Sequence, residues 1–332
     1  MTFETSESCI FMTTHRLIPT SFHNVIGSLS PALHIADGDT VVTETLDAAG
    51  HDKDGIKQAS GGNPMNGPIF VEGAEPGDTL EIRVLSMEPR LLYGTNIAAW
   101  WGHLYDDFGK ERITIYRIDV ASGLARAAFG FDYTTTPRYE QPGIIVLPGH
   151  AAREPALADV VVPLRPHFGV GGVAPAEAGR INSIPPGPFG GNIDNWRFGP
   201  GAAMYYPVFH PGALCYLGDP HMAEGDGEVS GTAIEASANA VVQLTVHKGL
   251  RFASPMLETP THWIAHGFDE DLDRAMKAAA RALLGFLVEQ RGLTRDDAYS
   301  LISVAGDFGV TQVVDQRQGV HGMIAKNLFV GR

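Results

Sequence analysis

Short runs of alternating apolar and polar residues, closed by glycine or proline, recur along most of this chain and limit how it can fold. The chain has 39 Gly and 22 Pro among 332 residues, so turns are frequent. In one run Leu80, Ile82 and Val84 alternate with Glu81 and Arg83, which is the period of a half-buried strand. Similar runs begin at Gly38, Glu111, Asp159 and Ala240. The pattern therefore predicts many short strands joined by tight turns.

Helical periodicity is clear only near the C-terminal end of the sequence. Between residues 269 and 292 one helix face would carry Leu272, Met276, Ala279, Leu283 and Phe286. A second helix is predicted to start at Thr294 as N-cap, with a stripe of Ala298, Leu301, Ile302 and Ala305. A strand at VTQVVD is expected to follow. Because strands come first and helices last, we predict an α+β, mainly β fold, with an antiparallel β-sandwich or roll and two C-terminal helices.

The chain divides by its motifs near residue 160. Residues 1–160 form a β-rich N-terminal half, and residues 161–332 form a C-terminal half with the site motifs described below and both helices. We expect the two halves to be interleaved in one compact unit. The Gly- and Pro-rich tract at residues 174–200 has little periodicity, but its Trp196 and Phe198 favour an ordered, buried loop.

Charge and cysteine content exclude several classes of function. With 24 Lys+Arg against 38 Asp+Glu, the net charge is −14, which repels nucleic acids and anionic lipids. Cys9 and Cys215 are too few for a disulfide framework, which favours a reducing compartment. The chain has neither a secretory leader pattern nor a run of about 18 apolar residues. We therefore expect a cytoplasmic protein without nucleic-acid or membrane partners.

Familiar catalytic motifs are missing from the sequence. The segment GVGGVA from Gly169 imitates a dinucleotide fingerprint, but no amphipathic helix follows it. The chain contains no phosphate-binding G-x-x-x-x-G-K-[ST], no H-E-x-x-H and no G-x-S-x-G. Acidic neighbours in the sequence also favour Cys215 as a small core residue over a catalytic thiol.

The stretch GDPHMAEGDGEVSGTAIE, residues 218–235, concentrates five carboxylates and one imidazole among small residues. In a strand, Asp219 and His221 would point to one side, which is metal-ligand spacing. Imidazole with carboxylates suits Zn²⁺ and its neighbours, whereas the oxygen-rich calcium loop would not place a histidine at the third position. Spacing alone favours a metal site and a solvated acidic loop equally.

Two further features favour a site. In GGNID, Asn192 and Asp194 would share one side after two glycines that permit close backbone approach. Glu228 and Glu235 stand among apolar residues, so at least one of these carboxylates is expected to be partly buried. Burial raises the pKa of a carboxyl towards the range of a useful general base.

These segments together resemble a known family. GPFGGNIDNW and YYPVFHPGALCYLGDPHMAEGDGEVSGTAIE, with NPMNGPIFVEGAEPGDTLEIRVL before them and FGVTQVVD after them, are similar to the acetamidase/formamidase family of amidohydrolases. The resemblance extends from about Asp37 to Phe329. It implies a metal-dependent, largely β homo-oligomer that hydrolyses a small amide to acid and amine.

The resemblance also implies roles for individual residues. Asp194, Asp219 and His221 would hold the metal, and Glu228 would act as the general base. Substrate-binding or supporting positions would be Asn192, Asp226, Glu44, Asp47 and Glu235. The sequence departs from the family pattern at Pro220, which replaces a glycine, and at Glu224, which replaces a glutamine. The added carboxylate leaves the choice of substrate open.

We therefore hypothesise a metal-dependent amidase acting on a small linear or cyclic amide, with Zn²⁺ as the expected metal and Ca²⁺ as the alternative. One rival is a non-catalytic β-rich protein with a structural Ca²⁺ or ligand site. Another is a metal-free amidase in which Glu228 or Cys215 acts covalently. Trp100, Trp101 and His103 would either line a widened pocket or belong to the core.

Overall fold

The computed structural model describes residues 12–133, 152–177 and 179–330; Cys9 lies outside these ranges. In chain order the strands are β1 (Thr14–Leu17), β2 (Val25–Gly27), β3 (Leu33–Ile35), β4 (Thr40–Thr45), β5 (Met65–Val71), β6 (Thr79–Pro89), β7 (Tyr93–Ala98), β8 (Glu111–Asp119), β9 (Leu124–Tyr133), β10 (Val162–Pro163), β11 (His167–Val173), β12 (Arg180–Asn182), β13 (Gly190–Asn192), β14 (Ala203–Pro207), β15 (Cys215–His221), β16 (Ala238–His247), β17 (Met256–Glu258), β18 (His262–Asp269), β19 (Gly306–Gln312) and β20 (Gln318–Ala325). The helices are α1 (Leu272–Glu289) and α2 (Arg295–Ala305), and a 3₁₀ turn spans Lys326–Leu328.

The strands form several sheets, and the mainly β, α+β class predicted from the sequence is confirmed. One sheet has nine strands in the order β1-β4-β16-β6-β14-β17-β18-β20-β19. A five-stranded sheet has the order β13-β11-β15-β5-β3, a four-stranded sheet the order β10-β9-β8-β7, and β12 pairs with β2. Pairing is antiparallel except between β1 and β4 and between β3 and β5 within the described ranges. The two largest sheets combine strands from both sides of residue 160.

Strand β6 shows how the alternation in the sequence is used. Leu80, Ile82 and Val84 are fully buried, as predicted. Glu81 is also buried, at 6% exposure, although the alternation predicts an outward-facing residue. Strand β6 lies between β14 and β16 in the interior of the nine-stranded sheet, so Glu81 is not at a sheet edge. The buried carboxylate is stabilised by Arg83 and His247, which approach its two oxygens at 2.6 Å each.

Helix α1 begins at its N-cap Asp271, whose side chain accepts a hydrogen bond from the Arg274 amide. Its buried residues are Ala275, Ala279, Leu283, Phe286 and Leu287. Two members of the predicted stripe, Leu272 and Met276, are each 38% exposed. The buried face is therefore rotated toward the alanines, whose small side chains pack beside Val320 of β20. Thr294 caps α2 as predicted, by accepting a hydrogen bond from the Asp297 amide.

Two predicted strands are shorter than their sequence patterns. In the run that begins at Asp159 only Val162 and Pro163 pair, at the edge of the four-stranded sheet. In VTQVVD the strand ends at Gln312. There the Gln312 side chain accepts hydrogen bonds from the amides of Val314 and Asp315 and turns the backbone out of the sheet. This turn brings Asp315 to the site described below.

The five-stranded sheet positions the polar cluster. Its central strands β11 and β15 pair with His167 opposite His221. Residues 169–173, which imitate a dinucleotide fingerprint, lie inside β11 and do not precede a helix. Cys215 of β15 is fully buried in the main core, and burial raises the pKa of its thiol, which suits a packing residue better than a nucleophile. Across the described ranges, no helix has the length and apolar character needed to cross a membrane.

Candidate active and metal site

His221, at the end of β15, is the centre of a buried cluster of carboxylates. Its side chain is 1% exposed. On the Nε2 side, Asp219 Oδ1 lies at 3.4 Å and Glu235 Oε2 at 3.2 Å. None of these three atoms has a hydrogen-bond partner among the described residues. Buried polar atoms are nearly always paired, so three that converge without hydrogen bonds require a ligand or an ion to satisfy them.

The other side of the His221 ring is fixed by hydrogen bonds. Nδ1 lies 3.1 Å from Glu224 Oε2, and the same oxygen lies 2.8 Å from His167 Nε2. His167 is held in turn at Nδ1 by the carbonyl of Arg165, at 2.6 Å. With its proton on Nδ1, His221 donates to Glu224 and leaves the Nε2 lone pair facing Asp219 and Glu235. A carboxylate that orients a histidine in this way is the usual support of a histidine ligand.

Asp194 adds a further carboxylate to the cluster. It is fully buried, and neither of its oxygens has a hydrogen-bond partner in the described chain. It fits only because position 169 is glycine. A Cβ built on Gly169 would lie 2.5 Å from Asp194 Oδ1, 2.7 Å from His221 Cε1 and 2.9 Å from Asp219 Oδ2. Gly169 therefore forms the floor on which these three side chains meet.

The backbone of the site is strained at three of its acids. Asp194 and Asp219 each have a φ of 52°, and Glu228 has a φ of 43°. Left-handed conformations are uncommon outside glycine and cost about 1–3 kcal/mol each when they are imposed on other residues. Such strain persists where the surrounding structure holds a functional arrangement in place. The three acids are thus held toward one another against their local preference.

Burial and like charge shift the pKa of the clustered groups. Burial raises the pKa of Asp194 well above its ordinary value, and the carboxylates of Glu228 and Asp315 raise it further. Burial likewise raises the pKa of Glu235 and of Asp315 to about 7. For His221, burial lowers the pKa, but the carboxylates of Glu235 and Asp219 outweigh it and leave the pKa well above its ordinary value. The cluster therefore favours bound positive charge.

Glu228 joins the cluster to a cavity of about 420 Å³. Its carboxylate lies within 4.8 Å of donor atoms of Asp194, His221 and Glu224. Burial, and then the charge of Glu224, raise the pKa of Glu228 well above its ordinary value. Asn192 lines the same cavity, and its side-chain amide donates to Asp315 Oδ2 at 2.9 Å.

The cavity has a polar floor and a less polar wall. Its floor consists of Asn192, Asp219, Glu228, Glu235 and Asp315. Its wall consists of Ala48, Gly62, Asn63, Trp100, Trp101, Ile184, Gly231, Thr232, Val314 and Gln316. Of the three residues predicted either to widen a pocket or to join the core, both tryptophans line the cavity, whereas His103 is exposed outside it.

Five of the predicted site residues converge: Asp194, Asp219, His221, Glu228 and Glu235. Asn192 lies beside them. The structure places the other three elsewhere. Asp226 forms a bidentate ion pair with Arg197, and Glu44 pairs with Arg16 and Arg90. Asp47 accepts hydrogen bonds from the amides of Ala49 and His51 and so shapes the loop that carries Ala48.

Sequence reasoning missed four residues of the site. Glu224 stood out only as a departure from the family pattern. His167 precedes GVGG in an inconspicuous RPHF, and Gly169 was read only as part of the rejected fingerprint. Asp315 lies in a segment predicted to be a strand. Glu224 and Asp315 lie within segments that carry the resemblance, whereas His167 and Gly169 lie outside those segments, so only the first two had a signal in the sequence.

Comparisons with known proteins relate this chain to one family. The model of the acetamidase/formamidase family matches residues 172–325. An acetamidase of Mycolicibacterium smegmatis is 30% identical over 198 residues, which is 50% of this chain and 48% of that protein. A formamidase of Methylophilus methylotrophus is 30% identical over 199 residues, 50% of this chain and 47% of that protein. The chain thus spans about half the length of these curated relatives.

Solved structures extend the likeness to nearly the whole chain. An acetamidase structure from Bacillus halodurans superposes with a TM-score of 0.77 at 29% identity, covering 95% of this chain and 98% of that one. A predicted acetamidase/formamidase from Thermoanaerobacter tengcongensis gives 0.78 at 26% identity, covering 96% and 97%. By its fold and by residues 172–325, the chain is therefore similar to the acetamidase/formamidase family.

Proposed function

We propose that the protein is a metal-dependent amidase that hydrolyses a small amide to a carboxylic acid and an amine. The observation that carries the proposal is the convergence of His221 Nε2, Asp219 Oδ1 and Glu235 Oε2, three buried atoms without hydrogen bonds, at the floor of a cavity. The similarity of residues 172–325 to the acetamidase/formamidase family supports the choice of reaction.

The cluster fits a divalent cation. One imidazole nitrogen and two carboxylate oxygens are a donor set that suits Zn²⁺ and its first-row neighbours, whereas Ca²⁺ prefers oxygen alone. Asp194, with two unpaired oxygens beside Gly169, is the adjacent fourth donor. We therefore assign Asp219, His221, Glu235 and Asp194 as the residues that would hold the metal. When bound, the ion would supply Lewis acidity toward an amide carbonyl and toward water.

Glu228 is the residue that we propose moves the proton. Its carboxylate faces the cavity and the metal-holding residues at the same time. From there it accepts the proton that water releases as the oxygen adds to the carbonyl carbon. The same proton then goes to the nitrogen as the carbon–nitrogen bond breaks, so that Glu228 is regenerated and the amine leaves neutral.

Other side chains of the cluster position the reacting groups and take no part in the reaction themselves. His167 and Glu224 orient His221 through its Nδ1 atom. Asn192 and Asp315 form a hydrogen-bonded pair at the cavity floor, where the Asn192 carbonyl oxygen has no hydrogen-bond partner from the described chain. That oxygen is free to accept a hydrogen bond from the amide nitrogen of a substrate.

The direct test is amine release from a panel of linear and cyclic amides, measured with enzyme as purified, stripped by a chelator and reloaded with metal. We expect turnover to vanish with the metal and to return with Zn²⁺ or a neighbouring first-row ion. Turnover that survives complete stripping would refute metal dependence. A protein that holds Ca²⁺ and turns over no amide in any state would favour the binding-protein alternative.

Two further expectations belong to this proposal. The net charge of −14 and the cysteine content fit a cytoplasmic protein, and the family resemblance implies a homo-oligomer. Cell fractionation tests the first expectation. Light scattering on the purified protein tests the second, and a monomeric mass at working concentration would contradict it.

A further inference from the structure

The cavity above the acid cluster contains more apolar wall than a two-carbon amide can use. Its volume is about 420 Å³, which lies in the range of cavities that enclose drug-sized ligands. Trp100, Trp101, Ile184 and Val314 all line it together with the acids. Apolar side chains in a cavity stabilise a bound ligand in proportion to the apolar area that the ligand buries there.

The part of this wall that contains Trp101 is fixed by packing and by a backbone hydrogen bond. A Cβ at Gly231 would collide with the six-membered ring of Trp101, so the indole rests directly on the backbone that follows Glu228. Two residues after Trp101, the amide of His103 donates to the Val229 carbonyl at 2.8 Å. The loop that carries Trp101 is therefore fixed to the segment that carries the proposed proton carrier.

The part of the wall that contains Ala48, Asn63 and Ile184 is also held in place by contacts. The amide of Asn63 donates to the Ala48 carbonyl at 2.9 Å, which ties two wall residues together. A Cβ at Gly62 would meet Ile184 Cδ1 at 3.6 Å, which places that side chain against the neighbouring loop. The cavity is thus bounded by side chains of three separate loops, each anchored near the site.

Charge restricts the ligand further. The lining includes four acids, Asp219, Glu228, Glu235 and Asp315, and no Lys or Arg among its described residues. An anionic acyl group would find no lysine or arginine side chain to pair with among these residues.

We propose that this cavity selects amides whose acyl group is uncharged, apolar and larger than acetyl, with the arylalkyl primary amides as the best class. The inference rests on the proposed amidase function and specifies its substrate. The acyl chain lies against Trp101 and Ile184, and the amide group lies at the acid floor.

The test compares kcat/KM of the metal-loaded enzyme for acetamide, butanamide, phenylacetamide and the anionic succinamate. We expect butanamide to exceed acetamide by about tenfold, since each buried methylene contributes about 0.8 kcal/mol and hydrophobic pockets discriminate at this level. Phenylacetamide should exceed both. Succinamate, which matches butanamide in chain length, should be the poorest substrate.

Substitutions in the cavity wall test whether its side chains cause the preference for larger apolar amides. Trp101→Ala should lower the ratio of kcat/KM for phenylacetamide to that for acetamide by about tenfold or more, mainly through KM. Ile184→Ala on the opposite side provides a second reading if Trp101→Ala folds poorly, which thermal unfolding of each variant reports. Phe108→Ala is the matched control, because Phe108 is a 52% exposed aromatic residue of the same loop and does not line the cavity. It should leave the ratio unchanged.

The outcomes separate this inference from the proposed function. Acetamide turnover with equal or weaker turnover of the larger apolar amides would overturn the inference and leave the amidase intact. A preference for larger amides that neither Trp101→Ala nor Ile184→Ala reduces would also overturn it. Absence of turnover with every amide would remove the proposed function itself.

Discussion

Two groups of buried carboxylates in this protein are treated in opposite ways. On β6, Glu81 is 6% exposed, and its two oxygens are matched by Arg83 and His247 at 2.6 Å each. In the site, Asp194 is fully buried, and neither of its oxygens has a hydrogen bond from the described chain. The pKa values follow the same division. Burial raises the pKa of Glu81, but the His247 hydrogen bond and the Arg83 charge outweigh it and hold the pKa below its ordinary value. The pKa of Asp194 stays well above its ordinary value.

The difference separates a carboxylate that is paired within the fold from carboxylates that are arranged to bind a ligand. A carboxylate that is buried for stability brings its own cations and donors, because an unpaired buried charge is costly. The site instead collects acids in left-handed backbone conformations around one imidazole and leaves several donor atoms unpaired. Such a site gains its missing interactions only when something binds.

The largest effect that we expect is on catalysis, from Glu228→Gln. The amide keeps the shape of the side chain but cannot carry the proton, and loss of a general base costs about 10²- to 10⁴-fold in rate. Steady-state kcat with a good amide substrate measures the loss, and metal analysis on the same sample should show unchanged metal content. Full turnover with metal retained would reject Glu228 as the proton carrier.

The next effect is a gain of stability that only the site should show. Adding Zn²⁺ to stripped protein at about 100 times its Kd should raise the free energy of unfolding by about 2.7 kcal/mol, since the folded state alone assembles the donors. Denaturant unfolding with and without the ion measures this. The gain should persist in a His247→Gln variant and disappear in His221→Ala. A gain of equal size in both variants would show that the ion binds elsewhere.

A third prediction concerns the floor of the site. In Gly169→Ala the new methyl would lie 2.5 Å from Asp194 Oδ1, so the cluster must move. Overpacking of this kind costs about 1–3 kcal/mol, and disturbing the surroundings of metal ligands typically lowers metal affinity about 10- to 100-fold. Gly225→Ala is the matched control, because its Cβ would meet nothing within 4 Å. Equal metal affinity in both variants would contradict the assigned role of Gly169.

Gly169 also marks the limit of what the sequence could predict. Local periodicity was enough for β6, for the N-cap at Thr294 and for the adjacency of Asp219 and His221, because each depends on near neighbours in the chain. The position of His167 opposite His221 depends on the register of β11 with β15, which joins residues 54 apart. No local pattern encodes that register.

The same reasoning explains Asp315 and Asp226. Asp315 reaches the site because the side chain of Gln312 accepts two backbone hydrogen bonds and turns the chain, an interaction that the alternation in VTQVVD hides. Asp226 is in the acidic motif but points to Arg197, which lies 29 residues earlier. Within an acidic loop, the sequence does not distinguish an acid with a distant cation from one without.

The smallest effect that we predict is the pH dependence of the stability contributed by the Glu81–His247 pair, the buried carboxylate that is matched by its own partners. The Glu81 hydrogen bond raises the pKa of His247, so this group adds stability below the unfolded histidine pKa and loses it as pH rises through the folded value. The pKa of Glu81 is lowered, so its contribution is present above the unfolded glutamate pKa and is lost as pH falls through the folded value. The pair should therefore be most stabilising between roughly pH 4.3 and pH 6.5.

Because His247 is 34% exposed, solvent screens the pair, and its contribution should be about 0.2–1 kcal/mol. The measurement is the difference in unfolding free energy between wild type and His247→Gln, at about pH 5.5 and again at about pH 8.5. The difference should shrink at the higher pH. A difference for His247→Gln that grows with pH would mean that the neutral imidazole is the stabilising form. Arg83 would then be the only cation beside Glu81, and the contrast between a self-sufficient buried carboxylate and the ligand-dependent cluster would rest on one cation instead of two.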